Sequence, residues 1–430
     1  KADKTGKGVI LSPVFRCPER QNPRERNEKD MSKGVSKRTA AALCAVCAVA
    51  AFGASTVLMQ LQFEARLPDY AANNAIYTKL GEIRQRVDDY YVGEYDVQDA
   101  VDMACVGFIT GVGDRWSGYM SKEEYETYMT SLEGQATGIG VYTTYDQEQN
   151  RLRIIEVYHG SGAEEAGLAH GDEIVGAGGK ALETDGYQAV IDAIAGDEGT
   201  MAEVTVRRAA TGQTETLSIE RREVEATMVT GRMLDDETGY IYIYNFHQHA
   251  DEQFEQTVDS LLEQGAQRLI FDVRNDPGGS VEVLSNMLDP LLPEGTIMTL
   301  RAKDGEEVVY SSDAAALDIP MAVLVNADSI SAAEFFAAAL QEYGKAIVVG
   351  EQTIGKGYSQ RTYPLSDGSA LRLSDNEYFT PQGKSLIGTG VTPDVPADLP
   401  DDKAKDFYFL SPEQDDQLIA ARQALDELGA

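Results

Sequence analysis

Histidine and cysteine are scarce in this chain, four of each in 430 residues, and there is a single tryptophan, Trp116. Cys44 and Cys47 fall inside an uncharged apolar run, Cys17 lies on a basic tail, and Cys105 stands alone beyond. No disulfide framework can be built from that set, so the main body must be held by packing. Cys44-x-x-Cys47 has redox spacing, but inside an apolar run cysteine behaves as a small hydrophobe. The histidines exclude as much. His159 and His170 fall in turns, and His247-x-His249, on one face of a strand, lacks the further ligands a metal needs. No metal or other cofactor is expected, and a serine–histidine–acid triad has no clear histidine apart from that pair. Basic residues are also short, 37 against 71 acidic, and the formal net charge of −34 argues against nucleic acid and anionic membrane surfaces as partners.

What is present is unevenly spread. An apolar content of 43% is ample for packed cores, and the length suits two or three domains. Residues 1–38 carry 11 Lys/Arg against 5 Asp/Glu, a basic tail on an acidic protein. Met31, followed by a basic stretch, reads as a natural start. Residues 39–61 carry no charge, and 23 such residues are long enough to cross a bilayer. Lys33, Lys37 and Arg38 precede this run and Glu64 is the first charge after it, which puts the tail in the cytoplasm. The expectation is a single-pass protein of the cell membrane, anchored through residues 39–61, with the rest extracytoplasmic. A cleaved secretory signal competes, but its apolar region is usually shorter and no clear small-x-small site follows here.

Hydrophobic spacing then sets out the elements. Ala75, Ile76, Leu80, Ile83 and Val87 predict an amphipathic helix over residues 71–91, and a second spans about 97–109 before Gly111-x-Gly113. Ser121-x-x-Glu124 opens a third over 121–133, and Trp116 between them reads as packing at a turn. From about Val224 strands and helices alternate: Tyr240–Tyr244, a helix marked by Phe254, Val258 and Leu261, then Leu269–Val273. That last strand ends at Asn275-Asp276-Pro277-Gly278-Gly279, before a helix over 280–292, and a further helix over about 412–428 ends the chain. The pattern is that of an α/β layered fold.

The stretch richest in chemistry runs from Asn326 to Gln360. The apolar run Val323–Val325 reads as a buried strand, and Ser331–Leu340 reads as the helix after it. A second run, Ala346–Val349, leads to Gly355-Lys356-Gly357-Tyr358-Ser359-Gln360. Two strand ends thus bring one hydroxyl and one amine, and a neutral lysine can be the base that a serine nucleophile requires. Ser331-x-x-Glu334 also fits a helix capping box, and Ser331 can do both jobs. Gly350-x-x-x-x-Gly355-Lys356 falls one residue short of a phosphate-binding loop, with Gly357 where Ser or Thr should hold magnesium and a β-like stretch where a helix should start.

Asn326–Glu334 followed by Gly355-Lys356-Gly357-x-x-Gln360 resembles the active-site region of the carboxyl-terminal processing, or tail-specific, serine peptidases. Asp272–Gly279 and Gly390-Val391-Thr392-Pro393-Asp394 match the same family in the same order, over roughly residues 75 to 396. Isoleucine at Ile330 departs from the serine or alanine usual there. The resemblance implies that Ser331 is the nucleophile, Lys356 the general base and Gln360 the residue that orients the lysine. It also implies that Gly278 or Gly279 joins the amide of Ala332 as an oxyanion hole. Residues 134–222 resemble a bacterial PDZ domain, chiefly over Ser161–Ile174, with Gly138-Ile139-Gly140 as the loop for a peptide's terminal carboxylate. The implied fold is an α/β multidomain chain: a tail (1–38), a membrane anchor (39–61), an N-terminal helical region (62–133), a PDZ domain (134–222), a crotonase-like or Clp-protease-like peptidase core (223–396), and a C-terminal tail and helix (397–430). The implied activity is cleavage of C-terminal regions of protein substrates, with a homodimer as a further implication. A catalytically inactive, membrane-tethered PDZ scaffold that binds protein C-termini is the alternative.

Overall fold

A computed structural model describes residues 70–132 and 135–428. The described residues fall into two compact units, one ending at Tyr95 and the other beginning at Asp96. The expected membrane anchor needs correction. Among the described residues no helix is long and apolar enough to cross a membrane. Residues 39–61 themselves lie outside the described residues, as does the basic tail. The anchor, the membrane as a partner and the single-pass placement therefore have no counterpart in the described fold.

Within the first unit, the helix Tyr70–Tyr90 carries Ile76, Leu80 and Ile83 exposed. The second unit opens with the helix Val97–Thr110. Asp96 caps it, accepting the N–H groups of Gln98 at 2.6 Å and Asp99 at 3.2 Å, which the first turn of a helix leaves unpaired. The helix Lys122–Leu132 begins with the expected reciprocal cap. The Ser121 N–H donates to Glu124 Oε2 at 2.7 Å, and the Glu124 N–H to Ser121 Oγ at 3.3 Å.

A small β module follows. Strands Val141–Asp146, Arg151–Val157, Glu173–Ala177, Met201–Arg207 and Thr214–Glu220 form an antiparallel sheet in that order, so Val141–Asp146 lies at an edge. Along Met201–Arg207 the residues Ala202, Val204 and Val206 are buried and alternate with more exposed neighbours, the period of two that a half-buried strand requires. Strand Gln135–Gly138 pairs antiparallel with Arg222–Glu225, so the chain enters and leaves the module side by side.

The rest is built on one sheet. Its strands are β1 (Val229–Met233), β2 (Thr238–Ile243), β3 (Arg268–Asp272), β4 (Met321–Val325), β5 (Ala346–Gly350) and β6 (Val395–Pro396), in that spatial order. The β1–β2 pair is antiparallel and the remaining pairs are parallel. A parallel sheet must be covered on both faces, and alternation along each strand supplies both. Leu269, Phe271, Met321, Val323 and Val325 face a core shared with helices α1 (Ala250–Glu263), α2 (Val281–Leu288) and α3 (Ala332–Glu342). Ile270, Ala322, Leu324 and Val349 face the opposite way, against Leu418, Ala421 and Leu425 of helix α4 (Asp416–Leu428). A second, antiparallel sheet joins Gly118–Met120, Ala370–Phe379, Gly295–Ala302 and Glu307–Ser312, with Tyr358–Pro364 also paired to Ala370–Phe379.

Three local expectations change. The helix expected over 280–292 stops at Leu288, where Pro290 turns the chain into the short 3-10 helix Asp289–Leu291. The C-terminal helix starts at Asp416. His247 and His249 lie beyond the end of β2 rather than on a strand, and His249 has a left-handed backbone (φ 72°).

Candidate active site

The site forms at the C-terminal ends of β3, β4 and β5, where parallel α/β sheets leave their crevice. The loops after β3 and β4 are stitched together. Asn326 accepts the Asn275 N–H at 3.0 Å and donates its amide to Asn275 Oδ1 at 2.8 Å. Ser329 Oγ donates to Val273 O at 2.8 Å, and the Ile330 N–H to Asp276 O at 2.9 Å. Ser331 follows at the turn into α3 with φ 60° and ψ −114°, a conformation that costs a non-glycine residue about 1–3 kcal/mol. A strained strand-to-helix turn of this kind sets a serine hydroxyl at the mouth of a sheet.

Glu334 holds this turn to the lysine loop. Its side chain is fully buried. Oε2 accepts the backbone N–H of Ser331 at 2.9 Å and that of Lys356 at 2.9 Å. Oε1 accepts Thr353 Oγ1 at 2.6 Å and the Gly355 N–H at 2.7 Å. Four donors converge on one carboxylate, which offsets its burial and fixes the two loops against each other. The capping box read from the sequence is present, but its acid reaches well past the cap. Gly355, with φ +81°, leaves no room for a side chain: a Cβ there would lie 2.8 Å from Gly388 N and Leu386 O.

Ser331, Lys356 and Gln360 all line one cleft of about 870 Å³, together with Gly278, Gly279, His247, His249, Arg372 and Tyr378. Among the described hydrogen bonds none joins Ser331 Oγ to Lys356 Nζ. Gln360 Nε2 donates to Tyr358 O at 2.8 Å rather than meeting the lysine. The buried Tyr378 phenol lines the same cleft as Ser331. Lys356 Nζ lies 4.9 Å from the centre of the Trp116 ring. Burial, and then the Arg372 guanidinium, pull the lysine down to about 8, against the opposing pull of Glu334 and Asp114. Roughly a tenth of Lys356 is thus neutral at pH 7, and the share grows as pH rises.

The two glycines differ. The Gly278 N–H (φ +90°) donates to Asp276 Oδ1 at 2.7 Å, whereas the N–H groups of Gly279 and Ala332 have no acceptor among the described residues. A Cβ on Gly278 would lie 2.9 Å from Ala332 N and from Ser331 Cβ, so the glycine turn lies directly against the serine turn. Two free amides beside a hydroxyl form an arrangement that can take up the charge of a tetrahedral intermediate.

Four participants were not read from the sequence as parts of the site: Trp116, Arg372, Tyr378 and Glu334 in its second role. Trp116 is brought there by Asp114, which accepts its N–H at 3.0 Å and the Ser117 hydroxyl at 2.6 Å, while Gly118–Met120 pairs with the strand bearing Arg372 and Tyr378. The one signal was the uniqueness of the tryptophan. In the small module, Gly138 pairs with Arg222, and the carbonyls of Ile139 and Gly140 accept Ala163 N at 2.9 Å and Tyr158 N at 3.0 Å. Their own N–H groups have no acceptor among the described residues, beside the edge strand Val141–Asp146.

Known proteins resemble this one over about three quarters of its length. A family model described as Peptidase family S41 matches residues 237–397. The carboxy-terminal processing protease CtpA of Bacillus subtilis (strain 168) is 31% identical over 327 residues, which span 76% of this chain and 70% of that protein. A CtpA-like serine protease of Staphylococcus saprophyticus is 28% identical over 326 residues, 75% of this chain and 65% of its own length. Among solved structures, a protein of Bacteroides fragilis NCTC 9343 assigned to the S41 proteases superposes with a TM-score of 0.51 at 18% identity, covering 75% of this chain and 90% of that one. The chain belongs to peptidase family S41, and it is a serine endopeptidase of the carboxy-terminal processing kind.

Proposed function

We propose that Ser331 is the nucleophile of this peptidase and neutral Lys356 its base. Oγ attacks the scissile carbonyl carbon as its proton passes to Nζ, and the carbonyl π pair moves onto oxygen. The N–H groups of Gly279 and Ala332 receive that oxyanion, with Gly278 shaping the turn that presents Gly279. Collapse of the intermediate breaks the C–N bond. The leaving amine takes the proton from the Lys356 ammonium, and Ser331 keeps the acyl group. Water then adds by the same route, Lys356 taking its proton, and the acid leaves. Gln360 orients the lysine once its amide turns from Tyr358 O, a tightening expected when substrate fills the cleft.

Substrates on this reading are proteins held by their C-terminal tails. The free N–H groups of Ile139 and Gly140, after Gly138, receive the terminal carboxylate. The tail itself adds as a strand along the open edge of Val141–Asp146.

The observation that carries the proposal is the Glu334 carboxylate, which binds the backbone N–H groups of Ser331 and Lys356 at once. Digestion of an unstructured protein with an apolar C-terminus, followed by intact mass, tests it. Wild type is expected to cleave, with Ser331→Ala and Lys356→Ala each down at least about a thousandfold. Equal cleavage by all three would remove both residues from the chemistry.

A further inference from the structure

The buried acid beside the oxyanion turn has no role in the steps above. Asp276 is fully buried. Its Oδ1 accepts the Gly278 N–H at 2.7 Å, and its backbone carbonyl accepts the N–H of Ile330, the residue before Ser331. Its Oδ2 is buried with no hydrogen-bond partner. A carboxylate in such a place would normally be met by a cation or several donors, because a bare buried charge is far more costly than an unpaired neutral hydroxyl.

The surroundings supply no such partner. From β3 and its loop, Arg274 is near in sequence, but its guanidinium is taken by Asp272 and Asp415. From the loop after β4 come Asn275's partner Asn326 and the uncharged Ser331 turn. From the small module the Tyr142 phenol feels its charge, being raised first by its own burial and then by Asp276. No ion pair to Asp276 exists among the described residues.

We propose that Asp276 is a positioning residue that works as the uncharged acid: it holds the Gly278–Gly279 turn with the Gly279 N–H toward the cleft, and loss of its proton switches the site off. The proposal rests on the Ser331–Lys356 reading. Burial agrees with it, pushing this carboxyl well above the ordinary carboxylate range. As the neutral acid it leaves only the Gly279 and Ala332 dipoles behind the developing oxyanion. Once ionised, it sets a like charge against the atom those amides must stabilise. Asparagine has the same shape and the same acceptor for Gly278, but cannot ionise.

The experiment compares wild type, Asp276→Asn, Asp276→Ala and Ser331→Ala by rate against pH, using the same unstructured protein substrate, and by thermal unfolding from pH 6 to 10. The expected wild-type profile rises with Lys356 and falls again at higher pH. In Asp276→Asn the fall is absent and the rate at the optimum stays within about threefold, while Asp276→Ala loses about tenfold or more, a fraction of what removing an oxyanion donor costs. The unfolding measurement reads the proton without activity. An acid whose folded form holds its proton more tightly than the unfolded chain stabilises at low pH, and that contribution is lost as pH rises. Wild type should therefore lose stability with pH more steeply than Asp276→Asn. A wild-type rate with no alkaline fall, a fall that persists in Asp276→Asn, or parallel unfolding profiles would each overturn the proposal. Activity that survives in Ser331→Ala would instead overturn the reading of the site, and the unfolding comparison would still report on Asp276.

Discussion

On the proposed reading Lys356 accepts the Ser331 proton only while it is neutral, and two features of its surroundings favour that form. Burial is the larger and the Arg372 guanidinium the second. The active form lies on the alkaline side of about 8, so kcat/KM should climb through that region as pH rises. Arg372 has no carboxylate in ion-pair contact among the described residues, so its charge bears on the lysine undiluted. Replacing it, as in Arg372→Gln, should move the rising limb to higher pH and lower the rate at pH 7, with the loss shrinking as pH rises. A limb that stays in place would show that burial alone sets the lysine. Both residues of the proposed dyad stand out in the sequence because serine and lysine stand at strand ends within a short stretch, and they line one cleft in the structure. Arg372 and Trp116 could not, because strand pairing brings them there from elsewhere in the chain.

At the scale of elements, α3 matters for more than its cap. Its third residue, Glu334, ties the turn before the helix to the loop after β5, so the Ser331 and Lys356 backbones are held by one side chain. Glu334→Gln keeps the volume but turns one oxygen into a donor facing other donors. The expected result is a fall in kcat of about a hundredfold with KM little changed, and a lower Tm from the unpaired buried amides, each costing about 1–3 kcal/mol. Steady-state kinetics beside a melting curve would separate the two effects. An unchanged kcat would mean that the loops hold their positions without the clamp. The strands and helices of the core were legible from periodicity, because each strand divides its apolar residues between two faces. The boundaries were less so: Pro290 ended one helix early, and the loop after β2 took His247 and His249 out of the strand read from their spacing. Glu334 looked like a cap because sequence shows only its near neighbours. Its contacts with Thr353, Gly355 and Lys356 depend on the packing of β4 against β5.

Over the whole second unit, the segment between β6 and α4 ties the small module to the core. The nearly buried Arg153 of the module pairs with Asp406 at 2.7 Å and lies 3.9 Å over the Phe409 ring. On the core side, the Arg274 guanidinium lies 4.6 Å over Phe407, and Tyr242 packs against both Phe407 and Tyr408. Removing the arginine, as in Arg153→Ala, should free this strap. Hydrogen exchange over residues 401–411 should then quicken, with little change over α3; equal protection in both proteins would argue that the aromatic contacts suffice.

The same region has a consequence for timing. Arg274 lies in the loop that leads to the Gly278–Gly279 turn, and its partners Asp415 and Gln417 come from the far end of the sequence. Helix α4 also covers the second face of the central sheet. A nascent chain that has already delivered Ser331, Lys356 and Gln360 to the ribosome's exit still has an uncovered sheet face, and behind its Gly278–Gly279 turn an Arg274 matched by Asp272 alone. A polypeptide released before residue 415 therefore carries Ser331, Lys356 and Gln360 without α4 over the sheet and without the second carboxylate on Arg274.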